Sequence, residues 1–179
     1  MNHPIHTLSR RRLLAALGAL AAGPALSAPT FLDHGPAPAF SGIAQWLNSP
    51  PLTVAGLRGQ VVLLDFWTYG CINCLRTLPH VNRWASTYGG QGLAVVGIHT
   101  PEFPFERSTR GLQVAMQRHG VKHAVAQDNA YATWSAYGVQ YWPSRYLIDR
   151  RGRIVMRQFG EGGYGQMEEA IRALLAAPP

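Results

Sequence analysis

The chain has 179 residues, of which 47% are hydrophobic and 14% are charged. This composition is typical of a packed globule of about one domain with an extension, and it excludes an extended disordered protein. The net charge is +7 at pH 7. The arginines are scattered, and no basic stripe interleaved with aromatic residues is visible, which argues against nucleic acid as a partner.

Residues 1–28 are predicted to be an export signal. The stretch 9–14, SRRRLL, is basic, and the apolar run 13–26 is shorter than the roughly 20 residues that a membrane-spanning helix needs. The arrangement resembles a twin-arginine signal, with general secretion as the alternative. We therefore expect a periplasmic or otherwise exported protein, which stays anchored in the membrane if the signal is not cleaved. Loss of residues 1–28 removes three of the 16 Lys and Arg and none of the 9 acids, so the charge falls from +7 to +4.

The rest of the chain divides into an extended lead-in, residues 29–51, and a domain over residues 52–179. The lead-in is rich in proline, alanine and glycine, with a short aromatic-bearing element expected at 43–47. The run 61–67, VVLLDFW, is apolar over nearly its whole length. Such a run predicts a central strand that is covered on both faces.

Apolar residues after position 71 recur at spacings of three, four and seven, which predicts a helix ending near residues 89–90. Pro79 lies inside it and predicts a kink, because it lacks the amide that would bond to Leu75. Downstream the pattern predicts a strand at 93–98, a helix at about 105–119 and a strand at 121–126. A short helix follows, capped by Asp128 or Asn129 and ending at Tyr137. The chain then continues with strands at 145–149 and 154–159 around a turn at 150–153, and with a closing helix around 167–175. This order predicts an α/β fold, with a central mixed β-sheet and helices on both faces.

The two cysteines of the chain, Cys71 and Cys74, lie together in the stretch DFWTYGCINC. A purely structural disulfide is a weak explanation, because a loop closed over two residues gains little stability. Structural zinc needs four ligands, and no second C-x-x-C or H-x-x-x-H is present. Covalent haem needs His directly after the pair, where Leu75 stands. We therefore expect no metal and no cofactor other than a redox-active disulfide between the two cysteines.

The position of the pair favours thiol–disulfide exchange. Cys71 falls where the predicted strand ends and the helix begins, so its sulfur faces the unpaired amides and the positive end of the helix dipole. This environment lowers the pKa of a thiol. Cys71 is therefore predicted to be the nucleophile, and Cys74, one turn further on, the resolving thiol.

In these features the sequence resembles the thioredoxin superfamily and, more narrowly, the exported TlpA/DipZ-like thiol–disulfide oxidoreductases. The resemblance runs from about Pro36 to Leu175. It is carried by DFW at 65–67 with C-x-x-C beginning six residues after the Asp, the helix proline Pro79, WTYGCINC at 67–74, HTPEF at 99–103, YWP at 141–143 and GEG at 160–162. It implies a thioredoxin-like fold in which the longer region between Ile98 and Pro143 is an insertion before the cis-proline strand.

The resemblance also implies roles for residues around the cysteines. Asp65, if buried beneath them, would have a raised pKa and would take the proton from Cys74 as that thiol attacks. A cis Pro143 would leave the backbone of Trp142 open to an extended substrate. Trp67 and Trp142 are expected to form the floor or a wall of the substrate site.

Other implications concern charged neighbours and partners. His99, Glu102 and Arg145 are weaker candidates for the substrate face, and Glu102 and Arg145 are interpreted as surface charges. The implied partners are proteins that carry thiols or disulfides, together with a membrane electron donor of the DipZ/CcdA type. Such a donor would keep the protein reduced, so that it acts as a reductant.

Two other functions remain open at this point. The segment T-x-x-C at 68–71 matches thiol peroxidases of the peroxiredoxin type, although Leu64 stands where their pattern has proline. A non-enzymatic copper-binding module would use both thiolates and His99 or His119.

Overall fold

The computed structural model describes Met1 and residues 31–178. Apart from its first residue, the predicted export signal lies outside the described residues and stays a prediction. In the described part of the chain, no helix combines the length and the apolar character that a bilayer crossing demands.

Six strands and four α-helices make up the regular structure of the described residues. The strands are β1 Gln45–Leu47, β2 Val61–Trp67, β3 Leu93–His99, β4 Ala124–Gln127, β5 Ser144–Ile148 and β6 Ile154–Phe159. The α-helices are α1 Ile72–Tyr88, α2 Thr109–Arg118, α3 Ala132–Ala136 and α4 Tyr164–Ala176, and short 3-10 helices cover Gly89–Gln91 and Pro104–Arg107.

The strands form one sheet in the order β1, β4, β3, β2, β5, β6. Strand β3 pairs in parallel with β2 and β4, whereas β1, β5 and β6 join the sheet antiparallel to their neighbours. Every residue of β2 is buried, because this strand is central and both faces of the sheet are covered. The predicted central strand and mixed sheet are therefore confirmed.

The two faces of the sheet bury different clusters, since successive side chains of a strand point to opposite faces. Leu64 and Phe66 of β2 pack on the face that includes Trp134 of α3. Leu63 packs on the opposite face, in a cluster with apolar residues of α1 and α4. Asp65 is two positions beyond Leu63 and therefore belongs to the face covered by α1 and α4.

The described part of the lead-in joins this sheet. Strand β1 pairs with β4, and the amide of Ala44 donates to the carbonyl of Gln127 at 2.9 Å. Pro36 forms an isolated bridge with Arg153, next to β6. The segment thus reaches both edges of the sheet.

The region between β3 and β5 differs in detail from the sequence prediction. The helix expected over 105–119 is a 3-10 helix followed by α2, because Ser108 has extended backbone and caps α2 with its hydroxyl, which accepts from the amide of Gly111. The strand expected over 121–126 is shorter and begins at Ala124. The N-cap position of α3 is Tyr131 and not the predicted Asp128 or Asn129. The Asp128 carboxylate nevertheless accepts from the first-turn amides of Ala132 at 2.9 Å and Trp134 at 2.8 Å.

Candidate active site

The cysteines lie at the start of α1, directly after β2. Cys71 has extended backbone and is the N-cap of the helix, and its Sγ accepts a hydrogen bond from the amide of Cys74 at 3.3 Å. Cys71 is half-buried, whereas Cys74 is only 1% exposed, and both are free thiols. The helix start therefore presents one sulfur and covers the other.

The two thiols differ in acidity. The pKa of Cys71 is lowered from 9.0 to about 7, chiefly by the hydrogen bond from the Cys74 side chain. The amides of Cys74 and Asn73 lower this pKa as well, whereas partial burial of Cys71 opposes the change. Burial raises the pKa of Cys74, and the hydrogen bond to Cys71 raises it further. At neutral pH a substantial fraction of the outer sulfur is thus thiolate, whereas the inner sulfur keeps its proton.

Asp65 lies near the end of β2 and is 1% exposed. Both carboxylate oxygens are buried and lack a hydrogen-bond partner within the described residues. Burial raises the pKa of Asp65 to about 7, against the opposing effect of the Arg145 charge. The Asp65 charge in turn contributes to the raised pKa of Cys74, as expected if the carboxylate lies close to the inner thiol. The raised pKa predicted for a buried Asp65 is confirmed.

Arg145 is completely buried, so its interpretation as a surface charge is wrong. It stands opposite Asp65 in the pairing of β5 with β2. Its Nη2 donates to the carbonyls of Gly162 at 2.6 Å and Gly160 at 3.2 Å, and its guanidinium lies 5.1 Å from the ring centroid of Tyr164. These carbonyls and the aromatic face stabilise the cation in the interior. Glu102, by contrast, is exposed, as interpreted.

The two tryptophans expected at the site differ in position. Trp67 is completely buried in a cluster with Cys74 and Leu78, so it supports the site from below and presents no surface to a substrate. Of the floor and the wall expected for Trp67, a buried side chain is compatible only with the floor. Trp142 is half-buried, and its Nε1 donates to the carbonyl of Thr100 at 3.0 Å. The peptide bond between Trp142 and Pro143 is cis.

The sequence analysis missed Glu106, which is completely buried beside the segment that precedes Cys71. Its carboxylate accepts from the Thr68 hydroxyl and from the amides of Gly70, Glu102 and Phe103. The sequence offers one weak signal for this residue, an acidic side chain directly after Phe105 in a segment that also holds Phe103. That signal does not distinguish a buried carboxylate from an exposed one.

A histidine adjoins this carboxylate and does not line the substrate face. His99 is completely buried, and its Nε2 lies 3.2 Å from the Thr68 hydroxyl. Its ring stacks on Tyr69 and meets Trp67 edge-on, each at a centroid distance of 5.4 Å. Burial lowers the pKa of His99 to about 4, so the imidazole is neutral at physiological pH.

The described residues contain no group of three or more His, Cys, Asp or Glu side chains placed to hold a metal ion. The copper alternative required both thiolates together with His99 or His119. The residues that the structure describes do not bring these side chains together as such a group.

Comparison with known proteins identifies similar chains. The model of the AhpC/TSA family matches residues 35–157. Protein DipZ of Mycobacterium bovis is 46% identical over 144 residues, which are 79% of this chain and 21% of DipZ. The chain therefore spans about a fifth of the length of that relative.

A shorter relative and a solved structure align over most of their length. The thiol–disulfide oxidoreductase YkuV of Bacillus subtilis is 26% identical over 141 residues, 79% of this chain and 95% of YkuV. The crystal structure of a thioredoxin-like superfamily protein, SPOA0173, superposes with a TM-score of 0.73 at 27% identity and covers 80% of this chain and 98% of that one. The fold is thus thioredoxin-like, as predicted, and the chain is homologous to DipZ and to thiol–disulfide oxidoreductases.

Proposed function

The chain belongs to the AhpC/TSA family, and on this premise we propose that it is a thiol–disulfide oxidoreductase that reacts through Cys71 and Cys74. The asymmetry of the pair carries the proposal. Cys71 is accessible and has a lowered pKa, while Cys74 is covered, holds its proton and donates its amide to the outer sulfur. One sulfur is therefore suited to attack and the other to resolution.

The reaction proceeds in two exchanges. The Cys71 thiolate attacks one sulfur of a client disulfide, forms a mixed disulfide and releases the other client sulfur as a thiolate. Cys74 then loses its proton and attacks Cys71 Sγ, which forms the Cys71–Cys74 disulfide and releases the second client thiolate. Two electrons pass to the client, and no cofactor beyond the cysteine pair is required.

We assign Asp65 the role of proton acceptor for Cys74. A pKa of about 7 matches an acceptor that works near neutral pH, and the Asp65 charge raises the pKa of Cys74, as a carboxylate close to that thiol would. We assign Trp142, whose side chain is partly exposed, to the substrate side of the site, and Pro143, which is buried, to the backbone segment that presents it. Trp67 is assigned to the floor.

We further propose that the protein is exported, acts as a reductant and is recharged by a membrane electron donor of the DipZ/CcdA type. The export signal predicted for residues 1–28 supports export, and the similarity to DipZ supports the reductant role and the membrane donor. Measurement of the equilibrium constant against glutathione tests it. A reductant has a potential well below that of the glutathione couple, and an equal or higher potential would reverse the direction.

The exchange activity is tested with insulin and with substrate trapping. The reduced protein is expected to reduce insulin, and Cys71→Ser to abolish that activity. Cys74→Ser is expected to accumulate a covalent complex with its client that dithiothreitol releases. If Cys74→Ser accumulates no complex while its Cys71 thiol remains alkylatable, exchange through this pair is refuted.

A thiol peroxidase is the second candidate, favoured by the T-x-x-C segment and by the lowered pKa of Cys71. The Thr68 hydroxyl is buried and bonded to Glu106, however, so it does not face a peroxide at Cys71. Rapid turnover of hydrogen peroxide by Cys74→Ser with added thiol would favour the peroxidase over the oxidoreductase.

A further inference from the structure

Glu106 joins two segments of the chain through separate oxygens. Oε1 accepts from the Thr68 hydroxyl and from the amide of Gly70 at 2.6 Å, within the segment that leads into Cys71. Oε2 accepts from the amides of Glu102 and Phe103, each at 2.7 Å. One buried carboxylate therefore fixes the loop that carries Phe103 to the loop that presents the nucleophile.

All four partners of Glu106 donate, so this arrangement requires an acceptor at every position. A carboxylate provides that, since both of its oxygens accept. A glutamine at the same place would turn an NH₂ group toward backbone donors and leave at least one partly buried amide unpaired. The connection between the two loops thus depends on the charge of Glu106 and not merely on its size.

The loop fixed by Glu106 carries two exposed aromatic rings. Phe103 is 46% exposed and Phe105 is 61% exposed, and the two rings stack at 5.7 Å with an interplanar angle of 5°. Tyr69 holds the second ring in place, because its hydroxyl donates to the carbonyl of Phe105 at 2.9 Å. A stacked apolar pair is therefore fixed to the segment before Cys71, and a Cβ on Gly70, the residue before Cys71, would stand 3.5 Å from the Phe103 ring.

An exposed charge lies beside the same site. Glu102 is exposed, and its amide donates to the same Glu106 carboxylate that binds the amide of Gly70, the residue before Cys71. Its charge raises the pKa of Cys71, in agreement with this placement. A negative group near the thiolate repels an acidic disulfide such as oxidised glutathione. Together, the aromatic pair and the carboxylate select for an apolar and non-acidic neighbour of the reacting sulfur.

We propose that Glu106 is a positioning residue that fixes Phe103 and Phe105 as a docking surface for an apolar side chain next to the reactive cysteine of a client protein. This inference rests on the proposed exchange activity and names its substrate class. Clients are proteins whose disulfide is flanked by aromatic or aliphatic residues, and small acidic disulfides are poor substrates. Because the rings are held before binding, the client does not spend its binding energy on ordering them.

The test compares two short peptides that differ at one position. Each carries a cysteine joined to thionitrobenzoate through a disulfide, with phenylalanine before the cysteine in one peptide and serine in the other. Single turnovers of the reduced full chain at several peptide concentrations, followed through release of the coloured thionitrobenzoate, give the maximal rate (kcat), the half-saturation constant (KM) and kcat/KM for each peptide. The wild type is expected to prefer the phenylalanine peptide by about tenfold, the scale of one added aromatic contact with its buried area.

Three variants locate the source of that preference. Phe103→Ala/Phe105→Ala is expected to reduce the ratio of the two rates to near one. Glu106→Gln, shown to be folded by circular dichroism, is expected to reduce the same ratio by raising KM for the phenylalanine peptide. Val114→Ala removes an exposed apolar side chain on α2 and should leave the ratio unchanged.

The results separate this inference from the exchange activity itself. If the double phenylalanine variant keeps the wild-type ratio, the docking surface is refuted. If a folded Glu106→Gln keeps it, the positioning role is refuted. If the wild type releases no more thionitrobenzoate than Cys71→Ser does, the proposed exchange activity fails instead. In Glu102→Gln, the rate with a glutathione–thionitrobenzoate disulfide should rise relative to the serine peptide, and an unchanged ratio would overturn the role of this charge.

Discussion

Asp65 and Arg145 stand directly opposite each other on β2 and β5, and both are buried. Opposite residues of an antiparallel pair share a face of the sheet, so the cation and the carboxyl group lie on the side that α1 and α4 cover. Neither oxygen of Asp65 has a partner within the described residues, and the Nε and Nη1 of Arg145 have none there either. The acidity of Asp65 is therefore set by burial against the field of one cation.

Replacement of Arg145 by methionine should raise the pKa of Asp65 above its wild-type value of about 7, because the charge that opposes burial is removed. The pH at which Cys74 begins to resolve a mixed disulfide should move upward with it. At pH 6 resolution should slow by a few-fold to about tenfold, since one pKa unit corresponds to a tenfold change in the ionised fraction. The carboxyl carbon shift of Asp65 in an NMR titration measures the pKa directly, and stopped-flow kinetics measure resolution.

Arg145→Lys is the matched control for this prediction, since it keeps the positive charge and loses the planar guanidinium. Its Asp65 titration should stay closer to the wild type than that of Arg145→Met. Identical Asp65 titrations in the wild type and in Arg145→Met would show that the cation does not act on this carboxyl group.

Asp65→Asn should alter how stability depends on pH. The pKa of Asp65 is raised by folding from 3.8 to about 7, so the native state holds this proton more tightly than the unfolded state does. The stabilisation of the native state by this protonated carboxyl group is fully present below pH 3.8 and is lost as the pH rises to about 7. Between pH 4 and pH 8 the free energy of unfolding of the wild type should therefore fall by up to about 4 kcal/mol more than that of Asp65→Asn.

Urea unfolding at several pH values measures this difference. Asp33→Asn is a control of opposite sign, because the hydrogen bond from Arg153 lowers the pKa of Asp33. The contribution of Asp33 to the free energy of unfolding is present above pH 3.8 and is lost as the pH falls. Parallel stability curves for the wild type and Asp65→Asn would contradict the raised pKa.

Local patterns were sufficient to predict most of the fold. The apolar run of β2 and the helical spacing after Cys71 are signals within single segments, and both elements lie where the spacing placed them. The same local signals placed Cys71 at the helix start. They failed between β3 and β5, where the extended backbone of Ser108 separates a 3-10 helix from α2.

The site residues that the sequence did not reveal depend on contacts between distant segments. The carbonyls that bind Arg145 belong to residues 15 and 17 positions further on, so nothing beside Arg145 in the sequence marks it as buried. Glu106 binds Thr68 from 38 residues away. A charged side chain in a short segment is interpreted as exposed unless the tertiary partners that compensate its burial are known.

Replacement of Glu102 by glutamine should lower the pKa of Cys71 from its wild-type value of about 7, because the Glu102 charge opposes the formation of the thiolate. The pH dependence of iodoacetamide alkylation in a Cys74→Ser background measures the change relative to the same background alone. Glu169→Gln removes an exposed carboxylate on α4 and should leave the titration unchanged. An equal shift in both variants would indicate a general effect of net charge and would contradict a local role for Glu102.

Gly70→Ala tests the contact between the Glu106 carboxylate and the loop before Cys71. A Cβ at position 70 would stand 2.7 Å from Glu106 Oε1, so either the carboxylate or the loop must move. The expected cost is about 1–3 kcal/mol in the free energy of unfolding, the usual range for overpacking a buried contact. Gly165→Ala is the control, because Gly165 lies in α4 with no atom near the added methyl group, and it should gain about 0.5–1 kcal/mol from helix propensity. Urea unfolding measures both variants, and a Gly70→Ala protein as stable as the wild type would show that the two loops are not held as closely as the structure describes.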